Sequence, residues 1–170
     1  MSAAAAALHG IRVGVGYDSH RFSAAGTPLV IAGVRMPGDA RVDAHSDGDV
    51  AAHALTDAIL GAAALGDIGE LFPNTDPANA GRDSLEMLAL AAGRVREAGW
   101  AVVNADIAVL AERHKVGPLR AEMRARLAGA LGVTPDAVFV KGKTNEGLGA
   151  VGAGEGLAAH AVVALGRASR

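Results

Sequence analysis

The stretch from Ala44 to Asp57, AHSDGDVAAHALTD, constrains the fold of this chain more than any other. It gathers His45, His53, Asp47, Asp49, Asp57, Ser46 and Gly48 into one short segment. After Gly48 the pattern turns helical, with Val50, Ala51, Ala54, Leu55, Ala58 and Ile59 making an apolar stripe. Ser46, Asp47 and Asp49 suit the start of such a helix, because their short side-chain oxygens satisfy N–H groups that a first turn leaves free. His53 stands four residues after Asp49 and four before Asp57, so the three share one helix face. A histidine face bounded by carboxylates, opening off a loop with another histidine, suits a metal or a phosphate. The same residues also suit a well-capped amphipathic helix with solvated acids outside.

The N-terminal strand shifts the balance between these readings. Ile11, Val13, Val15 and Tyr17 alternate with Arg12, Gly14 and Gly16, which is a half-buried strand with one face kept small. Continued alternation puts Asp18 and His20 on one side as the strand ends, where both can aim at one ion. Read by itself, the pair also fits a strand-end turn with a surface histidine. The six histidines are at 9, 20, 45, 53, 114 and 160. His9 lies in the tail and His160 in an apolar final strand, and His114 joins Arg113 and Lys115 in a small cationic cluster fit to meet a phosphate. Asp18, His20, His45 and His53 remain. Two imidazoles and a carboxylate holding zinc with an open fourth position make a catalytic arrangement. Four candidates compete for three places, and spacing does not choose between His45 and His53.

The rest of the chain reads as a strand over Leu29–Val34, a turn at Met36–Asp39, and a first helix from Asp49 to Leu65 stopped by Gly66. A loop over Gly66–Pro77 follows; its Asp67, Gly69, Asn74 and Asp76 suit either polyol hydroxyls or plain turns. Asp83-Ser84-Leu85-Glu86 opens a second helix that ends at Gly99. A strand is expected over Trp100–Leu110, a loop over Ala111–Gly117, and a third helix from Pro118 to Leu131, capped by Gly132. Strands over Val138–Lys143 and Leu157–Leu165 flank a glycine-rich loop. This order predicts an α+β fold, one sheet with helices on a single face. Residues 1–10 are expected to be a disordered tail and 11–170 a single domain.

With 51% hydrophobic but only 3% aromatic residues, Ala, Val, Leu and Ile must fill the core, and such cores pack thinly. Burial of the bare sheet face against other copies is the natural remedy. A net charge of −2 argues against a dedicated nucleic-acid binder. The absence of cysteine excludes disulfides and thiolate ligands, so a metal must take His and carboxylate. No apolar run approaches the roughly 20 residues of a membrane span. The start, MSAAAAALHG, lacks the basic end of a targeting peptide. A cytoplasmic protein with no membrane partner is expected.

YDSHRF, AHSDGDVAAHALTDAILGAAALGDIGELFPNTDP and KTNEGLGAVGAGEG, in that order and spacing, resemble the 2-C-methyl-D-erythritol 2,4-cyclodiphosphate synthases of the non-mevalonate isoprenoid route. The similarity runs from Ile11 onward. It implies a mixed sheet with helices on one side and a homotrimer packed sheet to sheet, with active sites between subunits. Asp18, His20 and His53 match zinc ligands, one zinc per subunit. His45 and Ser46 match contacts to substrate phosphates. Asp67 and Gly69 match positions that hold the methylerythritol hydroxyls, and Ile68 and Phe72 belong to the same substrate-binding loop. Ala111, Lys115, Val116 and Gly117, with Lys143 and Thr144, match the cytidine and phosphate pocket of the neighbouring subunit. Glu146 matches the ligand of a second ion, Mg2+ or Mn2+, that bridges the phosphates; Lys143, Thr144 and Glu146 are therefore the expected catalytic groups.

The chain departs from the common pattern at a few positions. Lys143 and Asn145 stand where many members carry threonine, His114 replaces a frequent proline, and Ala153 replaces an arginine. Lys143 adds a phosphate contact, whereas Ala153 lacks the charge that an anion site near the threefold axis would use. Two other readings fit the same ligands. In a zinc phosphohydrolase, metal-bound water would attack a phosphate ester. In a trimeric scaffold, zinc would only staple strand to helix, in a closed site that includes His45.

Overall fold

The computed structural model describes residues 10–168. His9 and all but the last residue of the expected tail lie outside that range. A five-stranded sheet runs in the order β4-β1-β7-β5-β6. Its strands are β1 (Ile11–Pro28), β4 (Arg41–Val42), β5 (Trp100–Leu110), β6 (Val138–Lys143) and β7 (Gly156–Arg167). β1 pairs antiparallel with β7 from Ile11↔Gly166 to Arg21↔Gly156, and β5 pairs antiparallel with the other edge of β7. β5 and β6 are parallel. A parallel pair needs a crossover, supplied here by helix α4 (Arg120–Leu131).

Helix α1 (Val50–Ala63) lies across β1, β7 and β5, with α3 (Ser84–Glu97) packed on α1 and α4 on α3. The helices therefore cover one face, and the architecture is α+β with a mixed sheet, as expected. Glycine decides how close α1 can come. A methyl group added to Gly16 would overlap the Ala54 carbonyl, and one added to Gly14 would overlap the carbonyl of Ala58. The backbone of α1 thus rests almost directly on β1. Ala51, Ala54, Ala58 and Ala62 keep that contact thin, and all are buried. The alanine-rich core follows from an unusually short helix-to-sheet distance.

The small face of β1 is consequently the buried one. Its apolar residues point outward: Val13 is 68% exposed and Val15 70%, joined on the outer face by Ile11, Tyr17 and Val162. His160, on the same face, is exposed and lies with its ring 4.8 Å from that of Tyr17.

Several boundaries differ from the sequence expectation. β1 does not end near Tyr17 but continues to Pro28, with an irregularity between Phe22 and Thr27 opposite Val42. Asp18 and His20 are therefore mid-strand. Leu29–Val34 is not one strand. It folds back at Ala32-Gly33 (φ 53° and 74°), and β2 (Val30–Ile31) pairs with β3 (Val34–Arg35). That turn is held by Asp49, which accepts from Ala32 N (2.8 Å) and Gly33 N (2.5 Å) while capping α1 through Ala51 N and Ala52 N. α1 leaves helical geometry at Ala64 (φ 58°), before Gly66. The Gly66–Pro77 loop contains a one-turn helix, α2 (Ile68–Leu71), and the final glycine-rich loop contains another, α5 (Gly149–Gly152).

The glycine contact sets a stability prediction. Gly16→Ala should force α1 away from β1 and destabilise the protein by about 2 kcal/mol or more, the cost of overpacking a filled core. Urea denaturation of the two proteins measures it; a loss below about 0.5 kcal/mol would mean that α1 shifts freely on the strand.

Candidate active site

Asp18 and His20 stand on the same face of β1 as Gly14 and Gly16, the face that α1 covers. His53 lies one turn into α1, so the close helix contact drops its ring between them. Asp18 Oδ2 is 2.9 Å from His53 Nδ1 and 3.1 Å from His20 Nε2, and the two ring nitrogens are 3.4 Å apart. A tetrahedral ion with bonds of about 2.0–2.1 Å places its donor atoms about 3.3 Å apart, so the three spacings fit one ion. Among the described residues this is the group of three such side chains that could hold a metal. Two imidazoles and a carboxylate, in a chain without thiolates, suit zinc.

The charges agree with that geometry. Burial works to raise the Asp18 pKa, but hydrogen bonds and charge from His20 and His53 outweigh it and bring it down to about 2. For His53 burial disfavours the imidazolium, yet Asp18, with Asp49 and Asp47 behind it, raises the pKa overall.

His53 Nε2, on the far side of the ring, lies 2.8 Å from Ser84 Oγ and 3.1 Å from Ser46 Oγ. Ser84 Oγ is in turn hydrogen-bonded to Asp47 Oδ1. Reading the sequence assigned Ser84 and Asp47 to helix starts only. Their shared contact spans 37 positions of chain and leaves no local signal.

The open side of the triad faces a cavity of about 210 Å³. With the triad it is lined by His45 and Ser46, by Ile68, Gly69 and Phe72, and by Asn74, Asn79 and Met87. His45 lines the cavity without joining the group, so it is His53, not His45, that completes the trio able to hold a metal. α2 is fixed to α1 because Asp57 Oδ1 accepts from Ile68 N at 2.8 Å. Asp67 caps α2 through Glu70 N (2.8 Å) and stays exposed outside the cavity wall.

A second cavity, about 310 Å³, is lined by Ala111, Lys115, Val116, Gly117, Lys143 and Thr144, residues that the family resemblance grouped together. Gly142 also lines it, pressed so close to Val116 that a Cβ at 142 would lie 2.9 Å from Val116 Cγ2. Glu112 Oε1 accepts from Asn145 N (2.7 Å) and ties its two loops together. The two cavities share no lining residue within one chain. Glu146 lines neither; it is exposed, accepts from Thr144 Oγ1, and holds φ 51°. A non-glycine residue held in that region stores backbone strain, a feature that collects at functional loops. His114 packs on the Phe22 ring at 5.3 Å, and burial together with Arg113 lowers its pKa, so it is neutral at pH 7 and adds no cation.

The shifted groups give a pH dependence with a definite sign. Without metal, the raised His53 contributes stability that is complete below pH 6.5 and fades as pH rises through its folded pKa. The depressed Asp18 contributes above pH 3.8 and loses that as pH falls toward about 2. A metal ion must displace the His53 proton, so its uptake should weaken as pH falls and release protons on binding. Zinc titration calorimetry in two buffers of different ionisation enthalpy checks this; heats independent of the buffer at pH 7 would exclude a protonated His53 from the site.

Residues 11–166 match the YgbB family. A 2-C-methyl-D-erythritol 2,4-cyclodiphosphate synthase of Gemmatimonas aurantiaca is 56% identical over 155 residues, 91% of this chain and 93% of that protein. The bifunctional IspDF from Campylobacter jejuni shares the fold with a TM-score of 0.88 at 43% identity, over 92% of this chain and 42% of that one. This chain thus corresponds to less than half of the bifunctional protein. An IspF of Plasmodium falciparum, in a CDP complex, gives a TM-score of 0.82 at 31% identity, over 94% of this chain and 98% of that one. A match along almost the whole sequence, with a relative more than half identical, establishes that the chain belongs to the YgbB family.

Proposed function

We propose that this protein converts 4-diphosphocytidyl-2-C-methyl-D-erythritol 2-phosphate to 2-C-methyl-D-erythritol 2,4-cyclodiphosphate with release of CMP, as a phosphorus–oxygen lyase of isoprenoid biosynthesis. The observation that carries this reading is the Asp18–His20–His53 triad, open on one side to a cleft walled by His45, Ser46 and the Ile68–Phe72 loop. A purely structural metal would be closed by a fourth protein ligand. The relatives named 2-C-methyl-D-erythritol 2,4-cyclodiphosphate synthase support this reading.

Asp18, His20 and His53 would hold zinc, and Glu146 would serve a second ion, Mg2+ or Mn2+. Bound there, the ions supply positive charge against the repulsion between two phosphates. The substrate's own 2-phosphate attacks the β-phosphorus, so the barrier is repulsion plus the entropy of closing a ring. Lys143 and Lys115 oppose the repulsion with fixed cations. His45 and Ser46 orient the phosphates at the triad. Asp67, Ile68, Gly69 and Phe72 hold the polyol in its bend, which removes the entropy before the step. Ala111, Val116, Gly117 and Thr144 receive the cytidine end, and CMP leaves in line. The attacking phosphate is already ionised at neutral pH, so no general base is needed. Phosphorus NMR of the protein with substrate, zinc and magnesium should show the cyclic diphosphate and CMP; inorganic phosphate or two monophosphates would identify a hydrolase instead.

The working enzyme in this reading is a homotrimer. The outward Ile11, Val13, Val15, Tyr17 and Val162 form an apolar surface that water penalises at about 25 cal/mol per Å². Burying that surface against neighbouring sheets brings the metal cleft of one subunit to the nucleotide cavity of the next, which answers their separation within one chain. A complementation experiment exposes the sharing. Asp18→Ala subunits and subunits carrying Lys115→Ala with Lys143→Ala should each be inactive, while mixed trimers regain part of the activity. Verified mixed trimers without recovery, or a fully active monomer by ultracentrifugation, would exclude shared sites.

A further inference from the structure

We infer that Ser84 and Asp47 are positioning residues of the metal centre, acting through a hydrogen-bonded chain from His53 to Ser84 to Asp47 that fixes which ring nitrogen of His53 faces the ion. The inference rests on the reading that Asp18, His20 and His53 hold a divalent metal.

Proton counting carries the argument. The Asp47 carboxylate only accepts, and it is already committed on several sides. Oδ2 takes Ser84 N at 3.1 Å, and Oδ1 takes Asp49 N at 3.2 Å together with the Ser84 hydroxyl. The single proton of Ser84 Oγ is thereby assigned to Asp47. What Ser84 presents to His53 Nε2, 2.8 Å away, is a lone pair, so Nε2 must carry the hydrogen. In a neutral ring that leaves Nδ1 bare, and Nδ1 is the nitrogen beside Asp18 and His20. The opposite tautomer would set a nitrogen lone pair against an oxygen lone pair at a residue with no access to water, since Ser84 is 0% exposed. Ser46 Oγ, at 3.1 Å from the same Nε2, accepts from Gly48 N at 3.3 Å; its own proton stays available to the cleft it lines.

Helix capping does not account for the Ser84 hydroxyl. α3 is capped by Asp83, which accepts from Leu85 N at 2.8 Å and Glu86 N at 3.0 Å. The Ser84 side chain has been turned away from its own helix toward α1. The three members come from three segments: His53 from α1, Ser84 from the first turn of α3, and Asp47 from the loop before α1. Removing a partner of this kind typically weakens metal affinity roughly ten- to hundredfold.

The test uses the full chain loaded with zinc. Chelator competition should show zinc affinity weakened roughly ten- to hundredfold in Ser84→Ala and in Asp47→Asn, with Ser84→Thr, which keeps the hydroxyl, restoring most of it. In Asp47→Asn the amide can donate to Ser84, which frees the serine proton for Nε2 and favours the wrong tautomer. The rise in melting temperature on adding zinc should shrink in both variants; a merely structural loss would lower the metal-free and zinc-loaded forms alike. Nitrogen-15 NMR of the zinc-loaded wild type should show a slowly exchanging proton on His53 Nε2 that becomes fast-exchanging in Ser84→Ala. Unchanged zinc affinity in folded variants, or a wild-type His53 with Nε2 unprotonated, overturns the inference. Should Ser84→Ala fail to fold, the wild-type spectrum and Asp47→Asn decide. Asp18→Ala serves as the control: wild type binding zinc no tighter than Asp18→Ala would overturn the metal reading and this inference with it. Tight wild-type binding beside unaffected Ser84 and Asp47 variants would sink the inference alone.

Discussion

The contact of α1 with the glycine face of β1 is the constraint on which the site depends. A helix ordinarily keeps side chains between its backbone and a sheet. Here Gly14 and Gly16 let the carbonyls of Ala58 and Ala54 approach the strand itself. Only that distance allows the short arm of an imidazole on α1 to reach a carboxylate and an imidazole on β1. A valine at either glycine would separate the two elements and pull His53 from Asp18 before any ligand was touched. The low aromatic content is a consequence of the same geometry, since large rings have no place in so thin a layer.

Asp49 secures the other end of this arrangement. It is fully buried, and burial raises its pKa while N–H groups of Gly33, Ala52 and Ala32 pull it back down. One carboxylate therefore caps α1 and anchors the β2–β3 turn, at two residues that both hold positive φ. The direction in which α1 leaves the His45–Gly48 loop is set by that double attachment. The same carboxylate stands among the acidic groups, Asp18 first and then Asp49 and Asp47, that raise the His53 pKa against its burial. The cap is legible in the position of Asp49 at the head of its helix, but the anchoring of the turn is not, because the partners at 32 and 33 lie in a different element.

What could be read from the chain was whatever has a local period. The alternation of Ile11–Tyr17, the helical stripe after Asp49, the Asp83 cap and the Gly132 stop all correspond to observed elements. The placing of Asp18 and His20 on one side of a strand follows from the same two-residue period. The hairpin at Ala32-Gly33 was illegible because its strands are two residues long, too short for a period. The choice between His45 and His53 was equally closed to spacing. It turns on which residue the first turn of α1 points at β1, and that depends on the glycines thirty-odd positions earlier. Ser84 was hidden for the opposite reason, since its helix-start context already offered a sufficient explanation.

β1 also links the metal site to the outer face of the sheet. Val15 and Tyr17 point away from α1, and Asp18 and His20 point toward it, on consecutive turns of the same pleat. A surface packed on the outer residues would clamp β1 against α1 from behind. In the proposed trimer, burial of Ile11, Val13, Val15 and Tyr17 thus does more than bring a neighbour's nucleotide cavity into place. It restricts the strand that carries two of the three ligands, and β7, paired with β1 from Ile11 to Arg21, shares that restriction. With apolar residues on one side of the strand and the Asp18–His20 pair on the other, the proposed assembly and the proposed metal geometry would be two consequences of one alternating pattern.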